Sequence, residues 1–192
     1  NEPYLKLYFS HPSYNDYPVV GVSWEQANAF CAWRTNYLLA GLRGSARQIQ
    51  RYRLPTEVEW EFAARGQEDN AYPWKEADTK SDKGCYYANY KPGRGNYTKD
   101  GNLITTKVGS YSPNSNGLYD MAGNVSEWTS TVYTEAGVLS MNDMNPELKY
   151  NAAKEDPYVM KKKTVRGGSW KDVAAYVRSD ARSYEYQNES RS

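Results

Sequence analysis

Gly117-Leu-Tyr-Asp-Met-Ala-Gly-Asn-Val-Ser-Glu-Trp128 packs glycine, aspartate and asparagine between its apolar residues. Two carboxylates, Asp120 and Glu127, flank a glycine-containing turn whose carbonyls can face inward, and clustered hard oxygens are what Ca²⁺ takes. The structural alternative is that Asp120 and Asn124 cap turns while Glu127 pairs with a buried arginine. Short irregular pieces of this kind, rich in Gly, Asn, Asp, Pro and Tyr, fill most of the chain beyond Gly66. Ladders cannot satisfy the backbone of such a domain, so side-chain amides, buried Arg or Trp, or metal ions must help.

Regular structure is expected in few places. Ser23 and Gln26 form a capping box, followed by Ala27, Phe30, Cys31, Arg34 and Leu38 at helical spacing, which puts Cys31 on an apolar face. Thr56 and Glu59 form a second box after Arg53-Leu54-Pro55. In that helix Val58, Trp60, Phe62, Ala63 and Ala64 supply bulk and Gly66 is the stop. Both helices are expected to be short. Strand-like pieces are expected near Leu103 to Val108 and Thr164 to Arg166. Ala40 to Tyr52 and Val132 to Lys163 look like insertions, each a partner surface or a solvated excursion.

The chain has 192 residues, in the range of one domain with a sizeable core. Its 24 basic and 23 acidic residues leave a net charge of +1, so nothing draws it to nucleic acid or anionic lipid. The single histidine, His11, excludes a multi-histidine zinc or iron site. Cys31 and Cys85 are too few for a disulfide framework and are not spaced as a redox pair. With 19 Tyr and 6 Trp at a mean hydropathy of −0.91, stability must lean on large amphipathic rings.

Five segments, in order, resemble the formylglycine-generating-enzyme/sulfatase-modifying-factor superfamily. They are Tyr17-Pro-Val-Val-Gly-Val-Ser-Trp24, Arg53-Leu-Pro-Thr-Glu-Val-Glu-Trp-Glu61, Tyr72-Pro-Trp74, the 117–128 run and Val165-Arg-Gly-Gly-Ser-Trp170. The resemblance implies a loop-rich α+β fold of C-type-lectin-like character with two short helices and little regular structure, in one domain over 1–192 with insertions near 40–52 and 132–163. It also implies structural calcium at two places. The family pattern falls on Asp120, Gly123, Val125 and Glu127 at the first, and on Asn89, Tyr90, Asp100 and Asn102 at the second. Side chains would ligate from Asp120, Glu127, Asn89 and Asp100, and backbone carbonyls from the others.

The family's reactive cysteine pair, which the resemblance places after the Gly-Gly-Ser-aromatic motif, has no counterpart here. Ala174 and Ser179 fall at those positions, and no cysteine follows Cys85. Neither residue supplies a thiolate or a soft Cu(I) ligand, so no catalytic residue and no enzymatic activity are expected. In the family a cysteine at the position of Cys31 pairs with one in a terminal segment that is absent here. Cys31 is therefore either a thiol whose partner is missing or a small buried hydrophobe. The chain accordingly reads as a trimmed part of a longer protein.

Tyr8-Phe-Ser-His-Pro-Ser-Tyr14, Ala29-Phe-Cys-Ala-Trp-Arg34, the stretch from Ala88 to Tyr97 and Arg182-Ser-Tyr-Glu-Tyr-Gln187 resemble the GldK/PorK lipoproteins of gliding motility and type IX secretion, with the GldJ branch as a sister. This implies an outer-membrane lipoprotein on the periplasmic face, self-associating in a ring with a PorN/GldN-type partner and serving protein transport without catalysis. One rival is a module holding a peptide, glycan or peptidoglycan fragment in a cleft near Trp170, Ser179 and Arg182. Another is a lectin-fold binder of a protein target. Arg166, Arg178 and Arg182 are expected as partner contacts or as buried donors to loop carbonyls, and Arg53, Glu57 and Glu61 as structural pairs.

Overall fold

Both capping boxes form. In the computed structural model, which describes residues 6–41, 50–67, 70–93, 95, 97–137 and 147–190, helix α1 spans Trp24–Gly41. Gln26 Oε1 accepts the Ser23 N–H at 2.8 Å, and Ser23 Oγ accepts the Gln26 N–H at 3.2 Å. Helix α2 spans Glu57–Arg65, with the reciprocal bonds between Thr56 and Glu59 at 2.9 and 3.1 Å. Each such cap is worth about 1 kcal/mol. α1 is not short: its 18 residues absorb Ala40 and Gly41, which the sequence had assigned to an insertion. Of the remainder of that insertion, 42–49 lies outside the described residues, and 50–52 is irregular, with the Tyr52 N–H donating to Thr35 Oγ1 at 2.9 Å.

The inward faces differ from expectation at both phenylalanines. Ala27, Cys31, Arg34 and Leu38 are half-buried around the buried Thr35, but Phe30 is 60% exposed. In α2, Trp60 and Ala64 are buried while Phe62 is 74% exposed. A ring at helical spacing thus follows the seam only when its own angle faces the neighbouring element.

The regular sheet is antiparallel, in the order β1 (Glu127–Val132), β2 (Lys162–Arg166), β3 (Ser183–Tyr186), with irregular register between Trp128 and Val132. The expected strand at Thr164 to Arg166 lies inside β2. Leu103 to Val108 is irregular instead, its backbone bonded to other loops, as in Val108 N–H to Asp16 C=O at 2.8 Å. The expected excursion 132–163 also changes character at its ends: Val132 closes β1, and Lys163 in β2 is 1% exposed. The architecture is α+β and loop-rich, with two α-helices and one small sheet among the described residues.

The described residues group into two compact units, each discontinuous in sequence. One comprises Val20–Phe62, Glu127–Arg166 and Arg182–Ser192. Its interior is polar, with Thr129, Thr131, Thr164, Lys163 and Arg166 at 2% exposure or less. Tryptophan N–H groups bind its loops: Trp24 donates to Thr129 C=O at 2.8 Å and Trp128 to Val22 C=O at 3.0 Å. Gln187, also buried, holds Ala152 by both backbone groups, at 3.2 and 2.8 Å.

The other unit comprises Asn1–Val19, Ala63–Ser126 and Gly167–Ala181. Ala88, Tyr90, Ala122 and Val177 form its apolar core, with Tyr72, Trp74, Tyr86 and Ala174 packed on them. Asn114 closes the end of α2, donating to the Ala63 and Ala64 carbonyls and accepting the Asn116 and Leu118 N–H groups. These are orphan carbonyls of the last helical turn, satisfied by one side-chain amide from a loop.

Candidate functional site

Asn89, Tyr90, Asp100 and Asn102, all within the stretch 89–102, lie in the second of these units. Asp100 Oδ2 accepts the Tyr90 N–H at 3.0 Å and Oδ1 the Asn102 N–H at 3.2 Å. Burial raises the Asp100 pKa, and those backbone donors oppose the rise. Asn89 is 1% exposed, and its amide nitrogen donates to Ile104 C=O at 3.0 Å, which leaves Oδ1 as its ligand atom. A half-buried carboxylate and an amide oxygen from the residue next to its backbone partner Tyr90 are the hard-oxygen donor types that Ca²⁺ takes.

The other expected set lies further along. Asp120 adopts φ 55°, a left-handed conformation that costs a non-glycine residue about 1–2 kcal/mol, and its Oδ2 accepts the Gly109 N–H at 2.7 Å. Gly123 has φ 72°, and a Cβ there would stand 2.2 Å from the Asn89 carbonyl oxygen, so no larger residue fits. Asn124, 1% exposed, ties this loop to the first set: its N–H donates to Asn89 C=O at 2.7 Å, and its Oδ1 accepts the Thr106 N–H at 2.9 Å. Val125 follows in the same loop. Glu127 opens β1, where Oε2 accepts the Trp60 indole N–H at 2.6 Å. Among the described residues no three His, Cys, Asp or Glu side chains gather as a metal group, so a cation here would need the carbonyl donors as well.

Sequence reasoning did not single out Asn114 or Tyr111. Tyr111 receives a hydrogen bond from Asn102 Nδ2 at 2.9 Å, and burial followed by the Asp100 charge pushes its hydroxyl up to about 12. Neither has a local sequence signal, because their partners lie far along the chain or in irregular loop.

The positions opposite the family's cysteines are Ala174, in a 3-10 turn Ala174–Tyr176, and Ser179, fully buried with its N–H donating to Ala71 C=O at 2.7 Å. Both thiols of the chain, Cys31 and Cys85, are free. Burial raises the Cys31 pKa, against thiolate formation. Trp170 meets Tyr97 edge to face at 6.0 Å.

The arginines divide by environment. Arg182 grips Glu57 with Nε and Nη2 at 3.0 and 3.2 Å and donates to Thr134 C=O at 3.0 Å. Buried Arg166 pairs with Glu61, and its guanidinium lies 5.5 Å from the Trp60 ring centre. Burial lowers the Arg166 pKa and Glu61 opposes that. Arg178 is exposed and pairs with Asp180, while Arg53 pairs with Glu59. His11 uses its ring to cap the turn Pro12–Tyr14. These residues hold loops and helix ends in place.

The sequence matches the sulfatase-modifying factor enzyme 1-like domain over residues 8–192. It is 35% identical over 159 residues to the inactive C-alpha-formylglycine-generating enzyme 2 of Mus musculus, covering 82% of this chain and 39% of that protein. Against the formylglycine-generating enzyme of Mus musculus it is 39% identical over 124 residues, 62% of this chain and 28% of the enzyme. The Streptomyces coelicolor formylglycine-generating enzyme is 35% identical over 159 residues, 81% of this chain and 42% of that protein. The chain therefore spans less than half the length of these relatives. Among solved structures, PvdO from Pseudomonas aeruginosa superposes with a TM-score of 0.64 at 24% identity, over 91% of this chain and 58% of that one. CarF gives 0.59 at 26% identity, over 94% and 66%. The fold is that of these proteins.

Proposed function

We propose, on the premise that this chain belongs to the sulfatase-modifying factor enzyme 1-like family, that it is a member without catalytic activity, kept as a structural subunit. The observation that carries this reading is Ala174 and Ser179 at the two positions where the family resemblance sets the reactive cysteines. A methyl and a buried hydroxyl give neither a thiolate nor a copper ligand. A relative of 35% identity is itself named as inactive, which supports the reading; others of similar identity are named as enzymes, so the test is needed. Incubation with a cysteine-containing sulfatase peptide, copper and oxygen should yield no formylglycine by mass spectrometry. Turnover would overturn the reading.

In its specific form the proposal is an outer-membrane lipoprotein of the GldK/PorK kind on the periplasmic face. It assembles into a type IX secretion and gliding-motility ring with a PorN/GldN-type partner. The segments quoted above support it, as does one surface of α1. There Phe30, Trp33 and Tyr37, each more than half exposed, run along the helix with ring centres 5.5 and 5.4 Å apart. Exposed rings of this kind are good interface anchors because they bring area at little entropic cost. Calcium in this account is structural, held by the Asn89–Asp100 and Asp120–Glu127 sets, and it steadies loops that have few ladders of their own.

A second reading, a peptide- or glycan-binding module, draws on Trp170 beside Tyr97, with Lys171 Nζ 5.3 Å from the Trp170 ring centre. It requires saturable ligand binding that Trp170→Ala abolishes while the fold persists.

A further inference from the structure

Ser169-Trp-Lys-Asp172 closes on itself as a turn. The Asp172 N–H donates to Ser169 C=O at 2.9 Å, and Asp172 Oδ2 accepts both the Ser169 N–H at 2.9 Å and its hydroxyl at 2.7 Å. Trp170 and Lys171 are therefore the two central residues of a turn locked through backbone and side chain, which presents them at its tip. Two other loops of the same unit hold the turn. The Trp170 N–H donates to Asn124 C=O at 3.1 Å, and Asp172 C=O accepts the Lys91 N–H at 2.8 Å. Tyr97, 37% exposed, then meets Trp170 with the two ring planes 64° apart, and the rings form a corner. Each has an ammonium beside it. Lys91 Nζ lies 4.3 Å from the Tyr97 ring centre and donates to its hydroxyl at 3.1 Å, and Lys171 Nζ lies 5.3 Å from the Trp170 centre. A corner tied in this way loses little entropy when it binds.

The neighbourhood is basic although the whole chain is nearly neutral. Residues 91–99 include three basic residues and no acidic one. The carboxylates that follow each segment are turned to other donors, Asp172 to Ser169 and Asp100 to the Tyr90 and Asn102 N–H groups. Lys91 has no ion-pair partner among the described residues. Aromatic faces carry the negative side of the ring quadrupole and attract the C–H groups of a sugar, while lysine ammoniums pair with carboxylates. A flat base can lie on only one of two rings inclined at 64°, whereas a pyranose chair offers C–H groups to both.

We infer, on the glycan-module reading of Trp170, that this corner binds a sugar ring bearing a carboxylate, with Trp170 and Tyr97 against the ring and Lys91 and Lys171 on the acid. A neutral sugar leaves both ammoniums without a counter-charge, and a simple carboxylate leaves both rings uncovered. Nothing is cleaved or transferred, in keeping with a member that has no catalytic activity.

The test is a titration of the protein in calcium with methyl β-glucuronide, followed by tryptophan fluorescence and by NMR at constant ionic strength. Methyl β-glucoside, with a hydroxymethyl group in place of the carboxylate, and acetate, with no ring, are the matched controls. Adenosine monophosphate is the anion that carries a flat base. Saturable binding of the glucuronide is expected, with the glucoside about tenfold weaker and acetate silent, the factor that one charge-assisted hydrogen bond supplies. Lys91→Met and Lys171→Met keep the aliphatic stem and should each bring the glucuronide down toward the glucoside with unchanged thermal unfolding. Trp170→Ala should abolish binding of both sugars. Equal binding of the two sugars, or full glucuronide affinity in folded Lys91→Met and Lys171→Met proteins, would overturn the acidic-sugar assignment and leave the glycan module standing. Tighter binding of adenosine monophosphate would overturn it in favour of a nucleotide. No saturation by either sugar would overturn the assignment and the glycan-module reading together.

Discussion

Lys163 places its ammonium 4.0 Å from the centre of the Trp24 ring, in a strand position where the residue is only 1% exposed. The same nitrogen donates to the Tyr150 carbonyl. Burial lowers its pKa from 10.5 to about 8, and Glu147 partly opposes this. The cation is tolerated because the ring face and the carbonyl replace part of its water.

A pH signature follows. Between about pH 8 and 10.5 the unfolded chain holds a proton on Lys163 that the folded chain has lost, so stability rises with pH across that window. Below pH 8 both states are protonated and the burial penalty is felt in full. Lys163→Met should flatten this rise and leave the protein at pH 7 as stable as the parent or about 1 kcal/mol more so, since an apolar replacement of a buried charge is commonly neutral or stabilising. Urea unfolding of both proteins at pH 7, 8, 9 and 10 checks it; a parallel pH profile for the variant would refute it.

The Arg182–Glu57 pair predicts the opposite outcome. Glu57 is 4% exposed and its two oxygens face the guanidinium. Arg182→Met strands that carboxylate and should cost about 3 kcal/mol, whereas the double variant with Glu57→Gln should recover part of the loss. Chemical denaturation of the four proteins of this cycle gives the coupling.

Gly123 sits where two loops meet, and Gly123→Ala would drive a Cβ to within 2.2 Å of the Asn89 carbonyl oxygen while also opposing φ 72°. A loss of roughly 3 kcal/mol or failure to fold is expected. Gly21 shares the left-handed φ, 69°, but has open space around its Cβ direction, so Gly21→Ala should cost only about 1 kcal/mol. Thermal unfolding separates the two.

If calcium holds the Asn89–Asp100 and Asp120–Glu127 loops, chelation should lower the melting temperature. Restoring calcium to a hundredfold above its Kd should return about 2.7 kcal/mol. Asp100→Asn and Asp120→Asn should each reduce the calcium response while leaving the chelated protein close to the parent. An unfolding curve indifferent to chelation would remove the metal from the account.

What the sequence made legible was local or chemically distinctive. Ser23–Gln26 and Thr56–Glu59 each encode a helix start within four residues, and both form. The family pattern set Asn89, Tyr90, Asp100 and Asn102 together as ligands, and of these Asp100 is bonded to the Tyr90 and Asn102 N–H groups. Strand β1 escaped notice because its buried positions are Thr129 and Thr131, hydroxyl residues that read as solvent-facing until Thr131 Oγ1 is seen accepting the Glu57 N–H at 3.0 Å. Phe30 and Phe62 misled in the other sense: both are aromatic at helical spacing, and both face outward. Lys163 lay in a run of three lysines that resembled a solvated excursion, and only strand pairing with Glu185 and the Trp24 ring reveals it as interior.

The central claim, a structural subunit rather than an enzyme, is tested most directly by the native mass and composition of the full-length protein, extracted in calcium from the outer membrane where the proposal puts it. The account predicts a megadalton assembly containing a second protein in fixed proportion. A monomer of the full-length chain, with no co-purifying partner, would contradict it.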